Sequence, residues 1–319
     1  MKIIDVTLRD GGFVSDFNWE LEKAKFHVKT MSAIGVHIIE LGYWKQTQKS
    51  NNPFYNMDED TLNFLTSDLK SNSIIAVMID YHYCSKNIKD YPKLGETKLE
   101  LVRITSRKED LPEALKFAVN LKKDTGLKIS FQIINVTNYS EVELLEITNK
   151  ISKTDIDMVA FADSHGNLNL LSDLYRYRPA FNVLKQSNKL WGFHLHNHTG
   201  RANLNFWVLQ NENCDFTDGS VNGLGKGGGN LRLEEIVINE QLPKLLKYMT
   251  SCKLQDLKIT KHNAYNILCG RSNVTDNYRK MGLLHEVELD LFQSIINRLR
   301  GNSKDSYKEA EFEFWLDKI

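Results

Sequence analysis

The stretch Trp191-Gly-Phe-His-Leu-His-Asn-His198 places His194 and His196 two residues apart at the end of an apolar run, Leu190 to Leu195. Alternate side chains of a strand leave the same face, so this pair can grip one cation without bending the backbone. Taken alone, the spacing is equally well read as two ordinary histidines. Working outward, similar β-branched runs precede it at Ile3 to Leu8, His37 to Leu41, Ile74 to Ile79, Leu101 to Ile104, Ile129 to Ile134 and Ile156 to Phe161, and one follows at Cys214 to Phe216. Stretches of helical period lie between many of them, at 19–34, 60–71, 111–125, 142–152 and 171–185. Eight strands alternating with helices predict an α/β fold of the (β/α)8 TIM-barrel type; a doubly wound open sheet would show the same alternation.

The polar residues favour closure. Arg9 and Asp10, Glu40, Asp80 and His82, Thr105, Gln132 and Asn135, Asp163 and Ser164, His194 and His196, and Asp218 all fall at or just beyond the C-terminal ends of the runs. In a barrel those ends converge on one mouth, where the chemistry sits. Polar residues also gather wherever strands meet loops, which accounts for part of the pattern. Beyond about residue 250 the alternation stops and helices are expected at 242–249, 264–268 and 286–300, with Gly270 and Gly301 as stops and a charged, aromatic segment at 307–316. The expected division is a barrel over 1–250 and a small helical lobe over 251–319.

Lysine and arginine number 41, as do aspartate and glutamate, so the chain has no net charge and no global attraction to nucleic acid or membrane lipid. The lysines between Lys244 and Lys261 read as solvated helix faces. Cys84, Cys214, Cys252 and Cys269 lack Cys-x-x-Cys spacing, which points to reduced thiols rather than a zinc knuckle or disulfide framework. No apolar run approaches the roughly 18 residues of a membrane span, and a strand is expected within two residues of Met1. A soluble, cytoplasmic protein is the expectation.

Two further segments carry chemistry. In Asp5-Val-Thr-Leu-Arg-Asp-Gly-Gly12 a short apolar strand is expected to end in Arg9 and Asp10. A carboxylate joined to two imidazoles makes a mixed oxygen and nitrogen site for a divalent cation, and the arginine beside it suits an anionic substrate. In Asn222-Gly-Leu-Gly-Lys-Gly-Gly-Gly-Asn230, the five glycines suggest close backbone approach or positive φ. The loop lacks Walker and dinucleotide spacing; cradling a phosphate and lying floppy on the surface are both open. Lys226 could meet a carboxylate, a phosphate or solvent. His37 reads as a strand-edge residue, His198 as an outer group or loop residue, and Trp44, Trp191 and Trp207 as packing residues.

These segments, in order, with Ile39-Glu40-Leu41-Gly42 between them, resemble the DRE-TIM metallolyase superfamily, which includes 4-hydroxy-2-oxovalerate aldolase, 3-hydroxy-3-methylglutaryl-CoA lyase, and the isopropylmalate and homocitrate synthases. The pattern is most similar to the first of these. The resemblance implies a barrel in which Asp10, His194 and His196 bind a divalent metal, with Asn230 near enough to be a fourth ligand. Mn2+ is preferred, with Mg2+, Zn2+ and Co2+ as alternatives. It further implies that Arg9 faces the substrate oxygen, and that Glu40 holds Arg9 or the metal's water. Ser164, in Asp163-Ser164-His165-Gly166, matches the serine that binds the keto-acid carboxylate.

The implied activity is cleavage or formation of a carbon–carbon bond in a 2-oxo acid through a metal-stabilised, pyruvate-type enolate. A Claisen-type synthase joining an acyl-CoA to a 2-oxo acid is the alternative, although no long regulatory domain follows; a barrel that binds metal without catalysis is the third reading. The lyase-type cysteine is missing from the glycine loop. Phe13 stands where the pyruvate aldolases carry a histidine base, which leaves His82, His165, Tyr265 and Tyr278 to accept the proton. The lobe lies where such aldolases dock an aldehyde dehydrogenase, so that partner or a second copy of the chain is implied there.

Overall fold

Eight parallel strands close into a barrel in sequence order: β1 (Lys2–Asp5), β2 (Ile38–Tyr43), β3 (Ile74–Asp80), β4 (Leu99–Ser106), β5 (Lys128–Ile133), β6 (Met158–Asp163), β7 (Leu190–Leu195) and β8 (Phe216–Gly219). The computed structural model describes residues 1–45, 50–70, 73–238, 240–251 and 264–318. Closure lies in β1, where Ile4 pairs with Ile38 on one side and with Asp218 on the other. The doubly wound alternative is thereby excluded.

Alternation along the strands sorts the barrel interior into two layers. Ile38, Leu101, Met158 and Phe216 form the apolar lower layer, part of a separate buried cluster. Two residues further along the same strands, on the same face, come Glu40, Arg103, Ala160 and Asp218. The upper layer is therefore largely charged where a barrel is usually filled with branched apolar residues. Gly192 on β7 leaves room for Phe216: a Cβ there would collide with the Phe216 ring. The outward faces pack the surrounding helices through one large core that includes Trp44, Trp191, Phe131 and Phe181. Trp207, by contrast, is 52% exposed and does not serve the core.

Local chemistry sets the helix ends. Ser140 and Glu143 form a capping box at the start of helix Glu141–Ser152. Helix Leu111–Thr125 has Pro112 in its first turn and stops at Gly126, which takes the left-handed conformation. Helix Glu59–Thr66 begins where Asp58 accepts the Thr61 N–H, and its last expected residue, Ser71, lies outside the described residues.

Three sequence expectations need correction. The first strand ends at Asp5 rather than Leu8, because the Asp5 carboxylate accepts both the N–H and the hydroxyl of Thr7 and turns the chain into a helical turn, Thr7–Asp10. Arg9 and Asp10 therefore sit on a turn above the barrel, not on a strand. The eighth strand starts at Phe216, with Cys214 leading into it. Gly270 is no helix stop but lies inside helix Ala264–Ser272; a Cβ there would stand 3.0 Å from the His165 carbonyl oxygen and 3.1 Å from the His198 Cβ, so the glycine admits close approach to the barrel mouth.

Helix Leu242–Ser251 packs on the barrel through Leu245 and Tyr248, with Lys244 and Lys247 exposed. The following helices, Ala264–Ser272, Tyr278–Leu284, Leu289–Ile296 and Glu309–Leu316, share a second core around Cys269, Tyr278, Phe292 and Phe312. Residues 252–263, just beyond the expected boundary at 250, lie outside the described residues, together with Cys252 and the later lysines of the 244–261 run. Cys84, Cys214 and Cys269 are free and buried. Among the described residues no helix is long and apolar enough to cross a membrane.

Candidate active site

A cavity of about 680 Å3 opens between the barrel mouth and the lobe. Arg9, Asp10, His194 and His196 line its floor, and lobe residues such as Thr275, Asn277 and Asp305 face them. Asp10, His194 and His196 each offer a ligand atom, and all three atoms lie within 4.8 Å of one another. His194 Nε2 lies 3.3 Å from His196 Nε2 and 4.0 Å from Asp10 Oδ2. Residues from the turn after β1 and from the end of β7 are thus brought to one point, although 184 positions separate Asp10 from His194.

Each group is held from behind. His194 Nδ1 lies 2.8 Å from Asp218 Oδ2, so the ring donates there and turns its Nε2 lone pair toward His196 and Asp10. Arg9 donates from Nε to Glu40 Oε2 at 2.7 Å and from Nη1 to Asp10 Oδ1. Glu40 is fully buried, does not line the cavity and meets Arg9 from behind. Asp10 Oδ2 accepts from Asn230 Nδ2 at 2.7 Å and from the Lys226 N–H at 3.3 Å. The Asn230 amide oxygen is buried without a partner, as is His196 Nδ1.

This donor set fits a divalent cation. The Asp10 carboxylate and the two imidazoles supply its ligand atoms, while Asn230 turns its amide nitrogen to Asp10 Oδ2 and to the Leu224 carbonyl. Arg9 and Arg103 face three carboxylates, those of Asp10, Glu40 and Asp218, leaving the cluster one positive charge short with neutral imidazoles. Burial works to raise the Asp10 carboxyl, but the Arg9 guanidinium leads the opposing effects and holds it well below the usual carboxylate range. Burial pushes the His196 ring far below its ordinary pKa despite the nearby Asp10, which keeps one of its ring nitrogens unprotonated and able to ligate.

The glycine loop packs closely on the cation-site residues. A Cβ on Gly225 would press on the Asn230 amide and stand 2.5 Å from Asp10 Oδ2, and one on Gly227 would strike the His198 ring. His198 is fully buried beneath the loop, its ring centroid 5.3 Å from that of His196. Lys226 meets a carboxylate, with its Nζ 3.2 Å from Asp276 Oδ1 of the lobe.

Ser164 lines the cavity and accepts the Asn135 N–H at 2.9 Å, which leaves its own O–H to donate. Asn135 takes the left-handed conformation to make that contact. Asp163 accepts the N–H groups of Asn167 and Leu168, anchoring the turn that carries Ser164 and His165; burial raises its carboxyl to about 7. Of the four expected proton acceptors, only His165 lines the cavity. His165 Nδ1 lies 3.0 Å from Asn273 Oδ1 of the lobe. His82 is near the surface, 3.4 Å from Asp110, while the hydroxyls of Tyr265 and Tyr278 donate to the Val287 and Ser303 carbonyls. Phe13 lines the cavity beside Tyr43, their ring centroids 6.2 Å apart. Arg103, Asn273 and Asp276 were not singled out from the sequence, since nothing in their local spacing marks them.

The buried histidines set an expected pH dependence. Burial lowers the pKa of His165 from 6.5 to about 4, and it also lowers those of His196 and His198. Between those values the unfolded chain binds more protons than the native one, so the stability these rings contribute is present above about 6.5 and is lost as the pH falls toward 4. Asp163, with its raised pKa, has the opposite sign. The urea midpoint of the metal-free protein is expected to fall between pH 7 and pH 5, and to fall less in His165→Gln; an equal fall in both would remove His165 from this account.

Residues 1–262 match the HMGL-like family model, and the chain belongs to that family, whose members are enzymes of divalent-metal chemistry. Among its relatives are an oxaloacetate decarboxylase of Mycobacterium tuberculosis (25% identical over 238 residues, covering 74% of this chain and 68% of that protein) and a 4-hydroxy-2-oxovalerate aldolase of Thermus thermophilus (25% over 238 residues, 73% and 66%). A 2-isopropylmalate synthase of Methanocaldococcus jannaschii is 24% identical over 261 residues, covering 80% of this chain and 48% of that protein. The aligned regions thus span about two thirds of the first two relatives and about half of the third. The fold matches an N-terminal domain from Bacteroides vulgatus (TM-score 0.70, 20% identity, 94% of this chain and 100% of that chain) and the HMG-CoA lyase of Bacillus subtilis (0.66, 17%, 82% and 94%).

Proposed function

We propose that this chain is a divalent-cation-dependent enzyme that breaks or makes the carbon–carbon bond next to the reacting carbon of a 2-oxo acid, with pyruvate or a close analogue as product or donor. The observation that carries this reading is the convergence of Asp10, His194 and His196 beside Arg9 on one cavity floor. Asp10, His194 and His196 would hold the cation, and Asn230 would join them as a fourth ligand on turning its amide oxygen inward; Mn2+ is the expected ion, with Mg2+, Zn2+ and Co2+ as alternatives. When bound, it supplies Lewis-acid polarisation of the 2-oxo carbonyl.

The protein's own part is orientation and charge. Arg9, fixed by Glu40 and Asp10, presents a preorganised guanidinium toward the oxygen on which negative charge develops. The Ser164 hydroxyl is free to donate to the substrate carboxylate. Lobe residues such as Thr275, Asn277 and Asp305 form part of the wall around this cavity.

Aldol cleavage also needs an acceptor for the C4 hydroxyl proton, a role His165 is the best placed of the four to fill. Oxaloacetate decarboxylation needs no such acceptor, because carbon dioxide leaves without a proton. Phe13 in the place of the aldolase histidine favours that second reading, which agrees with the activity named for one relative.

The test is exchange of the pyruvate methyl protons in D2O with and without Mn2+, followed by comparison of 4-hydroxy-2-oxovalerate and oxaloacetate as substrates. Metal-dependent exchange is expected, and its absence with every divalent cation tried would sink the proposal. Release of free thiol from acetyl-CoA in the presence of a 2-oxo acid would point to a synthase instead.

A further inference from the structure

Resting on the reading of Asp10, His194 and His196 as a cation site, we propose that Arg103 is the positioning residue of that site: its guanidinium fastens Asp218 behind His194 and Glu40 behind Arg9. One buried side chain would then govern both a metal ligand and the substrate-facing arginine.

Arg103 lies on β4, and its alternation with Leu101 carries the side chain into the barrel interior, where it is fully buried. Nη2 donates to Asp218 Oδ2 at 2.7 Å, and it lies 3.0 Å from Asp218 Oδ1 and 3.1 Å from Gln132 Oε1. Nη1 lies 3.2 Å from Glu40 Oε1. Both carboxylates pass the contact on: Asp218 Oδ2 is 2.8 Å from His194 Nδ1, and Glu40 Oε2 accepts Arg9 Nε at 2.7 Å. Arg103 itself does not line the cavity.

Filling the barrel gives no reason for an arginine here. Its Nε and Nη1 make no aligned hydrogen bond, and a buried ion pair is often no more stable than apolar residues of similar volume. What the guanidinium supplies is direction. Gripped through both oxygens, Asp218 cannot swing away from His194; without Arg103, three buried carboxylates would face Arg9 alone. An outer partner of this kind typically controls metal affinity.

The experiment measures Mn2+ affinity by titration calorimetry in the full chain for wild type, Arg103→Met, Arg103→Lys, Asp218→Asn and the Arg103→Met/Asp218→Asn pair. Near-UV circular dichroism reports on the metal-free fold. Arg103→Met is expected to weaken binding roughly 10- to 100-fold, with Arg103→Lys recovering part of the loss. The double variant should bind no worse than the weaker single one, because both changes act through one contact. Should Arg103→Met fail to fold, Arg103→Lys and Asp218→Asn carry the test. Affinity within about twofold of wild type in the folded variants, far inside the 10- to 100-fold range, overturns the proposal. If the wild type binds no divalent cation at all, the cation-site reading itself falls and takes this proposal with it.

Discussion

Replacing Arg9 with lysine is expected to lower turnover roughly a hundredfold to a thousandfold, about 3–4 kcal/mol of transition-state stabilisation, while leaving cation affinity nearly unchanged. The guanidinium makes two contacts from different edges, Nε to Glu40 and Nη1 to Asp10, and this fork sets the direction of its remaining N–H groups. A lysine ammonium is a point charge on a flexible stem; it can sit near Glu40 or near Asp10 without reproducing the aim. Asp10 would keep its contacts with the Asn230 amide and the Lys226 N–H, so the ligand atoms stay in place. Steady-state turnover together with Mn2+ titration checks both halves. Near-normal turnover in Arg9→Lys would remove Arg9 from the chemistry, and a large loss of Mn2+ affinity would recast it as a support of the cation site.

Gly225→Ala is expected to weaken cation binding by roughly 10- to 100-fold, from about 1–3 kcal/mol of overpacking directed at the ligands themselves. A Cβ there meets the Asn230 amide and Asp10 Oδ2, two side chains that are buried and already bonded to each other. Neither can move without disturbing the oxygens offered to the ion. Gly225 is not among the glycines of positive φ, so the effect of its Cβ is contact with these ligands rather than backbone strain. If Gly225→Ala binds Mn2+ as tightly as wild type, the glycine loop does not shape the site.

The legible part of the fold came from periodicity. Alternating apolar runs and helical stretches pointed to eight strands, and polar residues at the run ends to a common mouth, because those patterns are local and repeat. Boundaries were less legible where a side chain redirected the chain: Val6 and Leu8 continue the apolar pattern, yet the Asp5 carboxylate captures Thr7 and ends the strand. Gly270 looked like a helix stop because a glycine's local signature is the same whether it terminates a helix or lets a helix approach a neighbour. His82, Tyr265 and Tyr278 looked as suitable as His165 for proton transfer, since residue type says nothing about distance from a cavity.

By itself, the order of residues determined eight strands alternating with helices and brought forward Asp10, His194, His196 and Arg9 as candidates, because strand alternation and the ligand chemistry of carboxylate and imidazole can be read without coordinates. Only the tertiary structure decided that Asp10 and the two histidines meet within 4.8 Å, that Glu40 stands behind Arg9, and that Arg103 joins Glu40 to Asp218. The reason is physical: these contacts link strands distant in sequence, and their energies depend on burial and direction, which exist only once the barrel has closed.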